Sequence, residues 1–324
     1  MKSQGRFYWI FAVVFALFCI TPLMTKNTFF LRIATEAIMW IGLAITWDVL
    51  AGYTGYLNFG HGAFFGIGAY TTAILMTKAH WLFIPSAVAG GMVAGVVALL
   101  AGFPTLRLYG AYFAIATWAL GRAFQQLALV LDITGGPDGM RLPTYLNPVF
   151  FFYTMLIFVG GLFLILWFLL ERAPFGLKLK AIREDEEGAM AIGLNPARVK
   201  VMAFIVSAIP AGIIGGIYAY WITYINPAST LGDLVTDQAV VMAVFGGLGT
   251  LVGPAIGAAL IYAFKTYFWA YLSQYQVLYL VILGAAIAAS VVFLPDGLWG
   301  AFVSRHEGRK ALKKGLALKK EKRG

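Results

Sequence analysis

The residues of this chain that could do chemistry are few, and they sit at breaks between apolar runs. The densest group is the stretch Gly52–Tyr70, which reads GYTGYLNFGHGAFFGIGAY. Gly60, Gly62, Gly66 and Gly68 let helix backbones approach closely. Gly60 and Gly62 would also let a helix unwind locally and offer its carbonyls to a solute. Asn58 and His61 are polar groups in apolar surroundings, where unsatisfied groups are costly and turn inward. Two readings stand side by side: a tight turn whose His bonds to a neighbouring helix, and a ligand contact. Single ionisable residues also interrupt apolar stretches at Glu36, Asp48, Arg122, Asp237 and Lys265. Glu36, Asp237 and Lys265 fall near the ends of their stretches, where a long side chain reaches the interface. Asp48 and Arg122 sit deeper and are candidates to pair with each other. There is no chain of acidic or His residues such as a proton-coupled carrier would use.

The second group is the loop 171–200, with Arg183-Glu184-Asp185-Glu186-Glu187 followed by Gly188, Ala189 and Gly193-Leu194-Asn195-Pro196. Leu179, Ile182, Ala189 and Ile192 recur near helical spacing, so the charged run lies between two short helical stretches, closed by a helix stop. A short helix held between two spans suits docking into another protein's groove, and a solvated amphipathic loop fits the same pattern. The stretch 132–148 is rich in turn formers and reads as a docking surface or as a plain connector. The sequence contains no phosphate-binding loop, no HxxxH metal motif and no GxSxG nucleophile elbow. The single Cys (Cys19) excludes a disulfide framework or a Cys-rich metal site.

The elements that must hold these groups follow from composition. Of 324 residues, 61% are apolar and 12% charged, with a mean hydropathy of +0.82. Soluble domains are about 45–50% apolar and about 25% charged, so this is an integral membrane protein. The net charge of +10 is unevenly placed: residues 295–324 contribute +6, and 171–200 only +1. No basic stripe interleaves with exposed aromatics, which excludes nucleic-acid binding.

Spans need about 20 apolar residues. Ten are expected, at 7–24, 33–51, 60–77, 83–103, 109–131, 149–170, 201–224, 234–248, 254–272 and 276–294, with breaks at Gly52–Asn58, Phe103-Pro104 and Gly249–Pro254. The first lacks a cleavage site and reads as a retained helix. The region 234–272 reads as one long span or as two short ones folded about Gly246–Pro254. An even count settles this, because it puts 18 Lys/Arg on the cytoplasmic side against four outside. The expected fold is therefore all-α, with about ten transmembrane helices and both termini cytoplasmic. Helices 1–6 fall in 1–170 and helices 7–10 in 201–294. A cytoplasmic loop at 171–200 separates them, and a basic tail at 295–324 follows. Gly52-x-x-Gly55-x-Leu57 and Gly246-x-x-Gly249-x-Leu251 mark two similar breaks, as related halves of a transporter would.

Taken together, these motifs resemble a known family. The 52–70 stretch, Arg107-Leu-x-Gly110-x-Tyr112, Thr134-Gly-Gly-Pro-Asp-Gly139, Pro174-Phe-Gly176, Ala181-Ile-Arg-Glu-Asp-Glu186, Gly246–Pro254 and Pro295-x-Gly-Leu298 run in order over residues 35–300. They look like the signature of LivM-type permeases, the membrane subunits of branched-chain amino acid ABC importers. The resemblance implies a type II importer-like permease of the inner membrane that carries hydrophobic amino acids along a path between two permeases. It implies no catalytic residues, no metal and no cofactor on this chain, with ATP-Mg bound by two cytoplasmic ATPase subunits. A LivH-like second permease and a periplasmic or lipid-anchored substrate-binding protein complete the implied partners, with membrane lipid around them. The 171–200 loop would dock the ATPase through Arg183, Glu184, Asp185, Glu186, Glu187, Gly188, Ala189, Gly193 and Asn195. Glu187-Gly188-Ala189-x-x-x-Gly193 looks like a degenerate Glu-Ala-Ala-x-x-x-Gly motif, with Gly188 in place of the usual Ala. Asn58, Gly60, His61, Gly62, Asp48 and Arg122 are the pathway candidates. A urea or short-amide permease is the nearest alternative, and a stand-alone secondary carrier a more distant one.

Overall fold

The first described element, α1 (Thr28–Thr54), begins where the Asn27 side chain accepts from the Phe29 N–H. A computed structural model describes residues 27–271, together with 281, 284, 285 and 297–301. Helix α1 ends at Gly55, whose φ of 79° is open to glycine at little cost. It is followed by α2 (His61–Thr77), α3 (Phe83–Thr105), α4 (Ala111–Val130) and α5 (Pro148–Trp167), which continues through a π-turn at Phe168–Arg172. The loop after α5 holds α6 (Pro174–Glu184) and α7 (Glu186–Ala191). Then come α8 (Pro196–Ile222), a four-residue α9 (Pro227–Thr230), α10 (Asp233–Gly246) and α11 (Val252–Tyr271). The described residues are overwhelmingly helical.

Of the ten expected spans, 7–24 lies outside the described residues, as does 276–294 apart from 281, 284 and 285, and a helix occupies each of the other eight. Among the described residues, four helices are long and apolar enough to cross a membrane: α1, α3, α5 with its π-turn, and α8. Helix α4 makes a fifth if its bent continuation at 132–138 is counted with it. Several boundaries moved: α1 starts under its Asn27 cap at Thr28, five residues before the expected 33, and runs to Thr54. Helix α3 runs on through Pro104 to Thr105 rather than breaking at Phe103-Pro104. Helix α8 starts five residues before the expected 201, because Asn195 accepts from the Arg198 N–H and Pro196 fits the first helical position. The helix stop is at Gly193, with φ 86°. The region 234–272 is two helices, folded at 247–251.

The core is the packing of α2, α3 and α8. It is close because a β-carbon at Gly68 would strike the Gly212 backbone, and one at Gly215 the Phe65 backbone. Helix α1 lies across this group, with Gly42 against Ile214 of α8 and Val159 of α5. On one edge, β1 (Met140–Arg141) pairs antiparallel with β2 (Tyr224–Ile225), and Tyr224 Oη donates to the Asp138 carbonyl at 3.0 Å. The 132–148 stretch is thus pinned to the chain leaving α8.

Candidate functional site

The site begins with a chain reversal inside the bundle. Helix α1 runs to Thr54, yet α2 starts beside Thr46, where His61 Nε2 lies 3.1 Å from Thr46 Oγ1. Eight helical residues correspond to about 12 Å, so the segment 55–60 turns back and starts α2 well inside the bundle. The Thr46 hydroxyl donates to the Leu43 carbonyl at 2.9 Å, so it accepts from the His61 Nε2–H. That leaves Nδ1, 3.5 Å from Ser207 Oγ of α8, as the acceptor. His61 is 1% exposed and lies edge-on to Phe64. The residue is therefore held by its neighbours on α1 and α8.

Backbone donors freed by the break find specific acceptors. Gly62 N–H donates to Thr236 Oγ1 of α10 (2.8 Å), Phe59 N–H to Thr117 Oγ1 of α4 (3.1 Å), and Gly60 N–H to Asn58 Oδ1 (2.9 Å). Trp47 Nε1–H donates to the Asn58 carbonyl at 2.7 Å, which fixes the hairpin from the α1 side. Gly60 packs on the Thr117 carbonyl, and a β-carbon added at Gly121 would come 3.5 Å from the Gly60 Cα. The Asn58 amide nitrogen is buried with no partner, and so is one oxygen of Asp48.

Asp48 and Arg122 do not pair. Asp48 is fully buried and accepts from the Gly249 N–H at 3.0 Å, while Arg122 bonds Asp233 at 2.8 Å and Gln125 at 2.8 Å. They lie on different helices facing different neighbours, which sequence depth alone could not reveal. The Asp48 contact brings the two similar glycine breaks together. A β-carbon at Gly52 would meet both the Asp48 carboxylate and the Gly249 backbone, and Gly249 adopts φ 77°. Arg183 of α6 closes the junction by donating to the Gly52 carbonyl.

The 171–200 loop splits into an inward and an outward set. Helices α6 and α7 abut at Asp185, whose side chain accepts from the Glu187 N–H at 3.1 Å, so the charged run is the junction of the two helices. Gly188 leaves room for that carboxylate, which a β-carbon there would approach to 2.5 Å. Glu186 turns inward, and Arg183, exposed as a residue, reaches inward with its guanidinium. Lys200 at the start of α8 is 2% exposed and bonds Glu186 at 2.7 Å and Tyr56 Oη at 2.8 Å. Tyr56 Oη in turn donates to Glu186 at 2.7 Å, and the ammonium sits 4.2 Å over the Tyr56 ring. Burial, then the bond to Glu186 and its charge, push the Tyr56 phenol up, so it stays a donor. Ala189 is buried, and Asn195 caps α8. Glu184, Glu187, Met190, Ile192 and Gly193 are exposed, with Ile192 at 75% and Met190 at 48%.

A second linkage runs beside the first. Tyr53 Oη donates to Glu171 at 2.7 Å, and Lys180 bonds Glu171 at 3.2 Å. The site therefore includes Lys200, Glu171, Thr236 and Asp233, which the sequence reading gave no role, and Tyr53 and Tyr56, which lie within the 52–70 stretch but were given none of their own. Lys200 was readable only as one more cytoplasmic-end base. Among the described residues, no group of three His, Cys, Asp or Glu residues is placed to hold a metal ion.

The chain matches the family described as branched-chain amino acid transport system, permease component, over residues 29–291. It is 31% identical over 301 residues to the high-affinity branched-chain amino acid transport system permease protein LivM of Escherichia coli K12, covering 82% of this chain and 69% of that one. It is 24% identical over 280 residues to the probable branched-chain amino acid transport permease protein LivH of Methanocaldococcus jannaschii, covering 80% and 87%. It is 26% identical over 238 residues to the guanosine ABC transporter permease protein NupQ of Bacillus subtilis, covering 65% and 72%. No solved structure matches it. With its apolar helices and its re-entrant break, this chain belongs to the permease-component family of branched-chain amino acid transport systems as a multi-pass membrane subunit.

Proposed function

We propose that this chain is one permease subunit of an inner-membrane ABC importer that moves branched-chain or other hydrophobic amino acids inward. In this reading it spans the membrane ten times with both termini cytoplasmic and pairs with a LivH-like permease. Two ATPase subunits that hold ATP-Mg dock under the 171–200 loop, and a binding protein delivers substrate from outside. The chain itself carries no ATPase site and no cofactor. Relatives that cover most of the chain are named for branched-chain amino acids, which favours those over urea or short amides.

One observation carries the reading: the loop is bolted to the break. Arg183 holds the Gly52 carbonyl, and Glu186 holds Tyr56 through Lys200, so motion of α6 and α7 moves the 52–60 segment directly. The outward residues Glu184, Glu187, Met190, Ile192 and Gly193 supply the docking face for the ATPase. Energy released on another chain would thus reach Asn58, Gly60, His61 and Gly62 through two charged contacts, without passing through lipid. Asp48 serves as the anchor between the two glycine breaks, and Arg122 lines the pathway.

Reconstitution of the four-subunit complex in proteoliposomes tests this. Leucine uptake should require ATP and the binding protein, and the chain alone should move nothing under an ion gradient. Gradient-driven uptake by the chain alone would instead make it a secondary carrier.

A further inference from the structure

Most of α4 is uncovered. Tyr112, Ile115, Trp118, Arg122 and Gln126 form an exposed stripe at spacings of three and four residues. It is apolar except for its last two members. Arg122 is the twelfth residue of this 20-residue helix, about 17 Å along it, which is near mid-membrane for a core of about 30 Å. There it pairs with Asp233 at 2.8 Å, the two side chains being 45% and 30% exposed. Asp237, one turn further along α10 and also exposed, lies on the same face of that helix as Asp233. Two carboxylates and a guanidinium on a span do not face hydrocarbon; they face the interior of the assembled transporter, where a partner subunit, water or a solute meets them.

The surroundings have the shape of a recognition site. Arg122 is held from three sides, by Asp233, by the Gln125 oxygen at 2.8 Å and by the Trp118 ring at 5.6 Å. It directly follows Gly121, against which the tip of the break at Gly60 packs. Helix α10 starts inside the bundle, since Leu231, just before it, fills the space at Gly66 of α2. One positive and two negative groups beside exposed Trp118 and Leu234 match a small molecule with a carboxylate, an ammonium and an apolar side chain.

We propose that Arg122, Asp233 and Asp237 form a transient binding site for the charged end of an α-amino acid in transit. Arg122 receives the carboxylate, Asp237 with Asp233 receives the ammonium, and Trp118 and Leu234 flank the side chain. The resting Arg122–Asp233 pair opens as the zwitterion inserts, so one ion pair is exchanged for two. Nothing charged is left bare at any point in the exchange. A nucleoside, with neither charge, gains nothing from such a site. The inference rests on the amino acid reading above.

The test uses the complete complex in proteoliposomes, with leucine as the probe and the binding protein saturated. Arg122→Gln and Asp237→Asn should each lower leucine uptake at least about tenfold, and Arg122→Lys should recover part of the loss. Co-purification of all subunits separates misfolding from loss of the site. The double variant Arg122→Gln with Asp233→Asn is decisive. A merely structural ion pair is largely relieved when both partners are neutralised, whereas a substrate site is not. Uptake restored in the double variant, or unchanged in the singles, overturns the site. A wild-type complex that moves no leucine overturns the amino acid reading instead.

Discussion

Two ion pairs of almost equal length have opposite surroundings. Lys200–Glu186 closes at 2.7 Å with the lysine 2% exposed, the phenol of Tyr56 joining both partners and its ring under the ammonium. Arg122–Asp233 closes at 2.8 Å with both side chains partly open. Removing charge from water is expensive, so a buried ion is stable only when it is paired and hydrogen-bonded, as Lys200 is by Glu186 and the Tyr56 phenol. Such a pair specifies a geometry and transmits a force. The open pair leaves bonding capacity unspent, which suits a place where a charged solute must stop and leave. The surroundings of Lys200 suit rigidity, and the proposed role of the α4–α10 face is to exchange partners.

The largest effect should come from breaking the rigid side. Lys200→Met strands Glu186 and Tyr56 against a buried apolar side chain and should destabilise the subunit by about 3–5 kcal/mol, read as a drop in the melting temperature of the purified complex. Neutralising Glu186 in the same chain should recover much of that loss. Next, Gly249→Leu forces a side chain into the space held by the Gly52 carbonyl and the Arg183 guanidinium, at a φ that L residues rarely adopt. A loss of about 1–3 kcal/mol and collapse of uptake are expected. Thr236→Val removes the acceptor of the buried Gly62 N–H and should cost about 1–3 kcal/mol, seen as faster amide exchange at the start of α2. The smallest stability effect belongs to Ile192→Ser on the outward face, within about 0.5 kcal/mol, while ATPase capture by the purified subunit falls. Capture at the wild-type level would remove Ile192 from the docking face.

The helices were legible because apolar runs and glycine stops are local signals, as at Gly193; Asn195-Pro196, read as part of that stop, instead opens α8. The depth of each helix was not. Nothing local says that 55–60 turns back to Thr46, because that return is fixed by distant acceptors, Thr117 and Thr236. The likeness of the glycine breaks at 52 and 249 could be read, but not their contact, which depends on how α10 and α11 fold beside α1. Asp48 and Arg122 illustrate the limit best. Both stood out as buried-span charges, yet each found its partner on α10 or in the turn that follows it, at a separation no periodicity encodes. Lys200 lay at a span end, where a base is ordinary, and only its neighbours make it unusual.

The central claim, that α6 and α7 move the break through Arg183 and Glu186, is tested most directly by the transport stoichiometry of the reconstituted complex. Leucine imported per ATP hydrolysed is compared between wild type, Arg183→Gln and the outward Glu184→Gln. Arg183→Gln should lower that ratio at least about tenfold while ATP hydrolysis continues, and Glu184→Gln should leave it near wild type. An unchanged ratio in Arg183→Gln would contradict the account.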